Sequence, residues 1–182
     1  MGFATCRTMR LPFAILLLVT SALAADVSRF TNIECESLDP SRLTFQQCNL
    51  KMLGRGIVGL NIYATLINKP WDNAKVSISL WRKFNGYHPF LVNSTFDLCK
   101  LMAKPTQKMS FATIFMSYML ETSNLNHSCP YENEIIVRNM IFKEEYMKFA
   151  PLPHGHYKFQ FMAATDNEWK AIINAHILHL SS

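Results

Sequence analysis

Apolar and polar residues alternate along most of this chain with a period of two. Val58, Leu60, Ile62, Ala64 and Leu66 are separated by Gly59, Asn61, Tyr63 and Thr65. That spacing puts one set on each face of an extended backbone, and it predicts a half-buried strand stopping at Asn68-Lys69-Pro70. In the next run Val76, Ile78 and Leu80 oppose Lys75, Ser77, Ser79 and Trp81. Near the end Tyr157, Phe159, Phe161 and Ala163 alternate with Lys158, Gln160 and Met162. After a turn at Asp166-Asn167, Trp169, Ala171, Ile173, Ala175 and Ile177 alternate with Lys170, Ile172, Asn174 and His176. Residues 30–38 and 43–53 read as two further strands. Between them lies Asp39-Pro40-Ser41, which is turn chemistry because Pro fixes φ and lacks a donor. Asn85-Gly86 predicts a type I′ turn with positive φ at both central positions, joining 74–84 to 87–96 as a hairpin. Strand character returns at 135–142. About eight strands with turns between them make a mainly β chain, an Ig-like sandwich or a cup.

One stretch breaks the pattern. From 97 to 131 the residues DLCKLMAKPTQKMSFATIFMSYMLETSNLNHSCPY carry Phe111, Ile114, Phe115, Tyr118 and Met119 at helical spacing. Asp97 is placed to cap a short helix running to Lys104, and Ser110 to cap a second running to about Ser123. The second is apolar on most of its circumference, as a helix facing both core and ligand would be, or a plain core helix. Met109, Met116 and Met119 add flexible side chains that suit varied apolar contacts. The expectation is a short helical insert closing one mouth of the sandwich.

Composition sharpens the setting. Arg7 and Arg10 precede the apolar run 11–19, and Ala22 and Ala24 fit a small-residue cleavage site. Residues 1–24 therefore read as a signal peptide and 25–182 as a single secreted domain. No other run is long and apolar enough for stable membrane insertion. The formal charge of +5 includes the two leader arginines. The other basic residues are scattered, which argues against a nucleic-acid partner. With Cys6 in the leader, Cys35, Cys48, Cys99 and Cys129 remain, and four cysteines allow three connectivities. Local pairing is the reading taken, with Cys35–Cys48 stapling a hairpin and Cys99–Cys129 stapling the insert. Asn93-Ser94-Thr95 and Asn126-His127-Ser128 are glycosylation sequons.

Catalytic chemistry has little to stand on. The chain contains no nucleophile elbow, zinc-protease helix, phosphate loop or dinucleotide fingerprint. A metal site would require His154, His156, His176 and His179 to converge with a carboxylate; exposed strand and loop histidines are the plainer reading. The expectation is a non-enzymatic protein with no cofactor and no metal. A binding role rests on Leu60, Ile62, Ile78, Leu80, Phe159, Phe161 and Ile173 facing inward between two sheets, with Phe115 and Met119 above them. Sheets packed at about 10 Å interdigitate and leave no room, whereas splayed sheets enclose an apolar pocket. Periodicity alone leaves both open.

The runs FTNIECESLDP, KFNGYHPFLVNSTFDLCK, NHSCPY and PLPHGHYKF, in order from Phe30 to Phe159, resemble an insect-type family of small secreted proteins that includes the CheB-type chemosensory proteins. A more distant likeness is to the ganglioside activator of the ML lipid-recognition superfamily. It rests on Phe96-Asp97-Leu98-Cys99, Cys129-Pro130 and Pro153-His154-Gly155-His156-Tyr157. That resemblance implies an ML-type β-cup with an apolar cavity, a Cys99–Cys129 bridge and lipid binding without catalysis. This chain has fewer cysteines than the activator, so its rim loops differ. The nearer family implies a role in chemosensation, with a pheromone or similar lipid as ligand and an extracellular receptor as a further partner. The alternative is a secreted glycoprotein with a filled core that acts as a protein-interaction module.

Overall fold

In the computed structural model, residues 27–104, 111–143 and 152–180 are described. The leader expected at 1–24 and the helix cap expected at Ser110 lie outside them. Eight strands form: β1 (Val27–Ser37), β2 (Leu43–Gly54), β3 (Ile57–Leu66), β4 (Lys75–Lys83), β5 (Tyr87–Asp97), β6 (Glu134–Ile141), β7 (Gly155–Thr165) and β8 (Glu168–Leu180). They make a five-stranded sheet ordered β1-β8-β7-β4-β5 and a three-stranded sheet ordered β2-β3-β6. Every pairing is antiparallel. Two short helices, α1 (Leu98–Ala103) and α2 (Phe111–Glu121), separate β5 from β6. The chain is thus a mainly β sandwich with a helical insert.

The period-two runs land as strands, but one pairing and one turn differ from expectation. Residues 30–38 and 43–53 do not form a hairpin. β1 pairs with β8, β2 pairs with β3, and the turn at Asp39 carries the chain from one sheet to the other. That turn is held by Asp39 O accepting from Arg42 N at 3.0 Å and by Asp39 Oδ1 accepting from Ser41 Oγ at 2.6 Å. The Cys35–Cys48 disulfide therefore cross-links the two sheets, with Cα atoms 6.1 Å apart. A bulge in β2 between Phe45 and Gln47 puts Phe45, opposite Ala64, and Cys48, opposite Ile62, on the same face of the strand.

The Asn85-Gly86 connection also differs. β4 and β5 pair as a hairpin, but Lys83 faces Tyr87 across a three-residue loop, with Phe84 N donating to Gly86 O at 2.8 Å. Neither Asn85 nor Gly86 has positive φ; the residues with both φ values positive are Asp166 (53°) and Asn167 (62°), between β7 and β8. Those two φ signs are what a type I′ turn needs.

Asp97 caps α1 as expected, its carboxylate accepting from Lys100 N at 3.0 Å. The insert lies along a side of the sandwich rather than across a mouth. After α2, Asn124 N donates to Ile136 O at 3.1 Å and Arg138 N to Thr122 O at 2.8 Å, so this segment extends the free edge of β6. The physical reason is the mismatch of five strands over three. A three-stranded layer leaves part of the larger sheet uncovered, and the apolar helix covers it: Phe115 stacks on Phe161 and Phe159, with centroids 4.9 and 6.0 Å apart. The Cys99–Cys129 bridge ties the insert back beside Trp71 and α1.

Candidate functional site: an apolar cavity between the sheets

Two hydrophobic clusters fill the interior. One contains Phe30, Ile78, Leu80, Phe142, Tyr157 and Ile177. The other contains Trp71, Leu98, Met116, Leu125 and Tyr131 behind the insert. Residues of both line a cavity of about 130 Å³ between the sheets. Its origin lies in small side chains at inward positions. Ala163 and Ala171 are cross-strand partners, Ala175 lies opposite Phe159, and all three alanines line the space. A pair of methyl groups leaves a gap that a Leu or Ile pair would have filled.

Of the residues singled out as ligand-binding, Leu60, Ile62, Phe115, Met119, Phe159, Phe161 and Ile173 line the cavity. Ile78 and Leu80 do not. Both are fully buried in the core cluster. Their cross-strand partners on β7 are Phe161 and Phe159, whose larger rings take the lining positions. Trp71, Tyr131, Phe30 and Phe142 line the cavity and were not anticipated. Trp71 follows Pro70 in a stretch that reads as a turn. Its bridge to Tyr131, with Trp71 N donating to Tyr131 O at 2.9 Å, is a long-range pairing that no local spacing announces. Inward alanines on β7 and β8 were the available signal.

The lining is almost free of charge. Lys75 contributes, but its ammonium donates to Asn167 Oδ1 at 2.7 Å. The Tyr131 hydroxyl donates to His127 O at 3.0 Å, and burial pushes its pKa up to about 12. It is therefore a neutral, occupied group at any ordinary pH. Trp71 is 2% exposed, and its indole Nε1 is buried with no hydrogen-bond partner among the described residues. A lining of this kind can hold an apolar molecule by excluding water from hydrocarbon.

The histidines lie elsewhere. His154 and His156 are exposed. His179 Nδ1 is 2.7 Å from Ser28 Oγ, and His176 Nδ1 is 2.8 Å from the Tyr87 hydroxyl. No group of three or more His, Cys, Asp or Glu that could hold a metal ion occurs among the described residues. No helix among them is long and apolar enough to cross a membrane. The sequon residues Asn93, on the edge strand β5, and Asn126 are both exposed.

Comparison with curated proteins finds no match. The chain is similar over residues 76–159, from β4 through the helical insert into β7, to a family described as "Protein of unknown function (DUF1091)".

Proposed function

We propose that this chain is a secreted, non-enzymatic carrier that holds a small apolar molecule between its two sheets. The observation that carries this reading is the cavity of about 130 Å³ with an apolar lining. It is close in size to the engineered cavity of roughly 150 Å³, lined by Leu, Ile and Phe, that stays dry and takes benzene. A ring or a short branched chain fits such a space. A long hydrocarbon would need the wall at Phe115 and Met119 to part. Each methylene transferred from water contributes about 0.8 kcal/mol, before ordering and association costs.

Two disulfides and exposed sequon residues support an extracellular setting, where disulfides persist. The Cys99–Cys129 insert over the larger sheet supports the ML-type likeness, and with it lipid recognition without catalysis. The likeness to CheB-type proteins adds a chemosensory role, with a pheromone or related lipid as ligand and a receptor as downstream partner. A second reading is a protein-interaction module with a filled core. It is favoured by the modest volume and by the stacked rings of Phe115, Phe159 and Phe161 at the cavity wall.

Native mass spectrometry of the protein secreted from insect cells, followed by solvent extraction, separates the two. The carrier reading expects a bound or exchangeable small hydrophobic molecule. A protein that retains nothing from a panel of hydrocarbons, esters and fatty acids, yet captures one extracellular protein, would favour the module.

A further inference from the structure

The outer face of the larger sheet sets a glycosylation sequon beside a tryptophan. Resting on the secreted setting proposed above, we infer that Asn93 carries an N-linked glycan whose first N-acetylglucosamine packs on the Trp81 indole, so that the glycan covers the β4–β5 edge of the sheet.

Ile78 and Leu80 are fully buried, so Ser77, Ser79 and Trp81 on the same strand face outward. β5 shares that face through Thr95, whose Oγ1 donates to Ser77 Oγ at 3.1 Å. Asn93, two residues before Thr95, faces the same way and is exposed. Its cross-strand partner is Ser79. Partners of this kind have Cβ atoms about 5 Å apart. Trp81 turns its indole along β4 toward that pair, because its Nε1 donates to Ser79 Oγ at 3.0 Å. The ring therefore comes within one sugar's reach of Asn93 Nδ2. The Lys158 ammonium lies 5.2 Å from the ring centroid, and Lys158 belongs to β7, on the opposite side of β4 from Asn93. The β5 side of the indole is left to the sugar.

The chemistry matches. N-acetylglucosamine presents ring C–H groups and an acetyl methyl, and packing them on an aromatic face takes apolar surface of both out of water. The edge also needs cover. β5 ends the sheet, its ladder with β4 shifts register between Ser79 and Trp81, and Leu91 in that bulge has φ of 56° and is 66% exposed. Open edges template pairing with another chain, and a glycan rooted at Asn93 blocks that approach. Attachment is the ordinary transfer of the secretory route. A lipid-linked oligosaccharide pyrophosphate gives its anomeric carbon to Asn93 Nδ2. The bond from that carbon to the pyrophosphate oxygen breaks, the lipid pyrophosphate leaves, and the amide nitrogen gives up one proton.

The full chain is expressed for secretion from insect cells, and peptide mapping reads the occupancy of Asn93. Proton resonances of its first N-acetylglucosamine are assigned by their loss in Asn93→Gln. They should lie upfield, shifted by the indole, and should return to ordinary positions in Trp81→Leu. Urea unfolding supplies the second readout. Asn93→Gln should raise the unfolding equilibrium constant about five-fold with Trp81 in place, and by less than about two-fold in Trp81→Leu. A secreted protein with Asn93 bare, or with unshifted sugar resonances, or with equal effects in both backgrounds, overturns the inference and leaves the secreted reading standing. A chain retained in the cell overturns the two together. Should Trp81→Leu not fold, the sugar resonances of the wild type still decide.

Discussion

His176 sits on the outer face of the larger sheet, with Nδ1 2.8 Å from the Tyr87 hydroxyl and Nε2 3.6 Å from the Glu34 carboxylate. Burial holds its pKa below the ordinary 6.5, against the opposing pull of Glu34. As the pH falls, the unfolded chain takes up this proton before the folded one does. Stability is therefore full above 6.5 and is lost as the pH drops through that value toward the folded pKa. Three carboxylates act later. Asp39 is held below 3.8 by Lys170, Asp97 by the amide of Lys100 and Asp166 by Lys69. Their contribution is present above 3.8 and disappears as the pH falls below it. Urea midpoints followed across pH should thus fall in two stages. His176→Gln should flatten the first stage and spare the second. An unchanged first stage in the variant would show that another group titrates there. None of these pairings was legible locally. His176 reads as one more polar-face residue of an alternating strand, and its neighbour Glu34 is brought alongside only by the β1–β8 register.

At the scale of elements, the inter-sheet position of Cys35–Cys48 sets what its loss should do. Removing it with Cys35→Ala and Cys48→Ala together should lower stability by about 3 kcal/mol, the loop-closure cost for a cross-link of this span. A hairpin staple would fray one edge. A bridge between layers should instead speed amide exchange on β1 and β2 together, in separate sheets; protection lost on one strand alone would contradict this placement. Faces of strands were legible because side-chain direction follows a strict period, and the runs at Val58–Leu66, Val76–Leu80 and Tyr157–Ala163 give it cleanly. Partners were not, because period two is silent about which strand lies next door. The turn at Asp39 illustrates the limit, since its chemistry fits a hairpin and a crossing between sheets alike. Asn85-Gly86 is another case. Its composition favours the positive-φ turn, but the hairpin there takes a three-residue loop, with a register shift between Ser79 and Trp81 in the flanking ladder. α1 is the element whose start was readable to the residue, because capping by Asp97 is a contact within one turn.

Taken whole, the molecule is two unequal layers joined by a cross-link at one side and an apolar helix at the other, with a cavity where their two clusters meet. Part of the cavity wall could be named from sequence: Leu60, Ile62, Phe159, Phe161 and Ile173 from alternation, and Phe115 and Met119 from helical spacing. The cavity itself could not, since volume depends on how Ala163, Ala171 and Ala175 face one another across β7 and β8. Ala175, 1% exposed on the lining, is the place to test it. The direct measurement is equilibrium unfolding of the wild type and Ala175→Leu, each with and without saturating methylenecyclohexane. A ligand that binds the folded state stabilises it by about 2.7 kcal/mol at a hundred-fold excess over Kd. The wild type should gain that much. Ala175→Leu should match or exceed the unliganded wild type, because it fills the space, and should gain nothing from the ligand. A wild type whose midpoint the ligand leaves unmoved, or a variant destabilised by overpacking by about 1–3 kcal/mol, would mean that no space is there to fill.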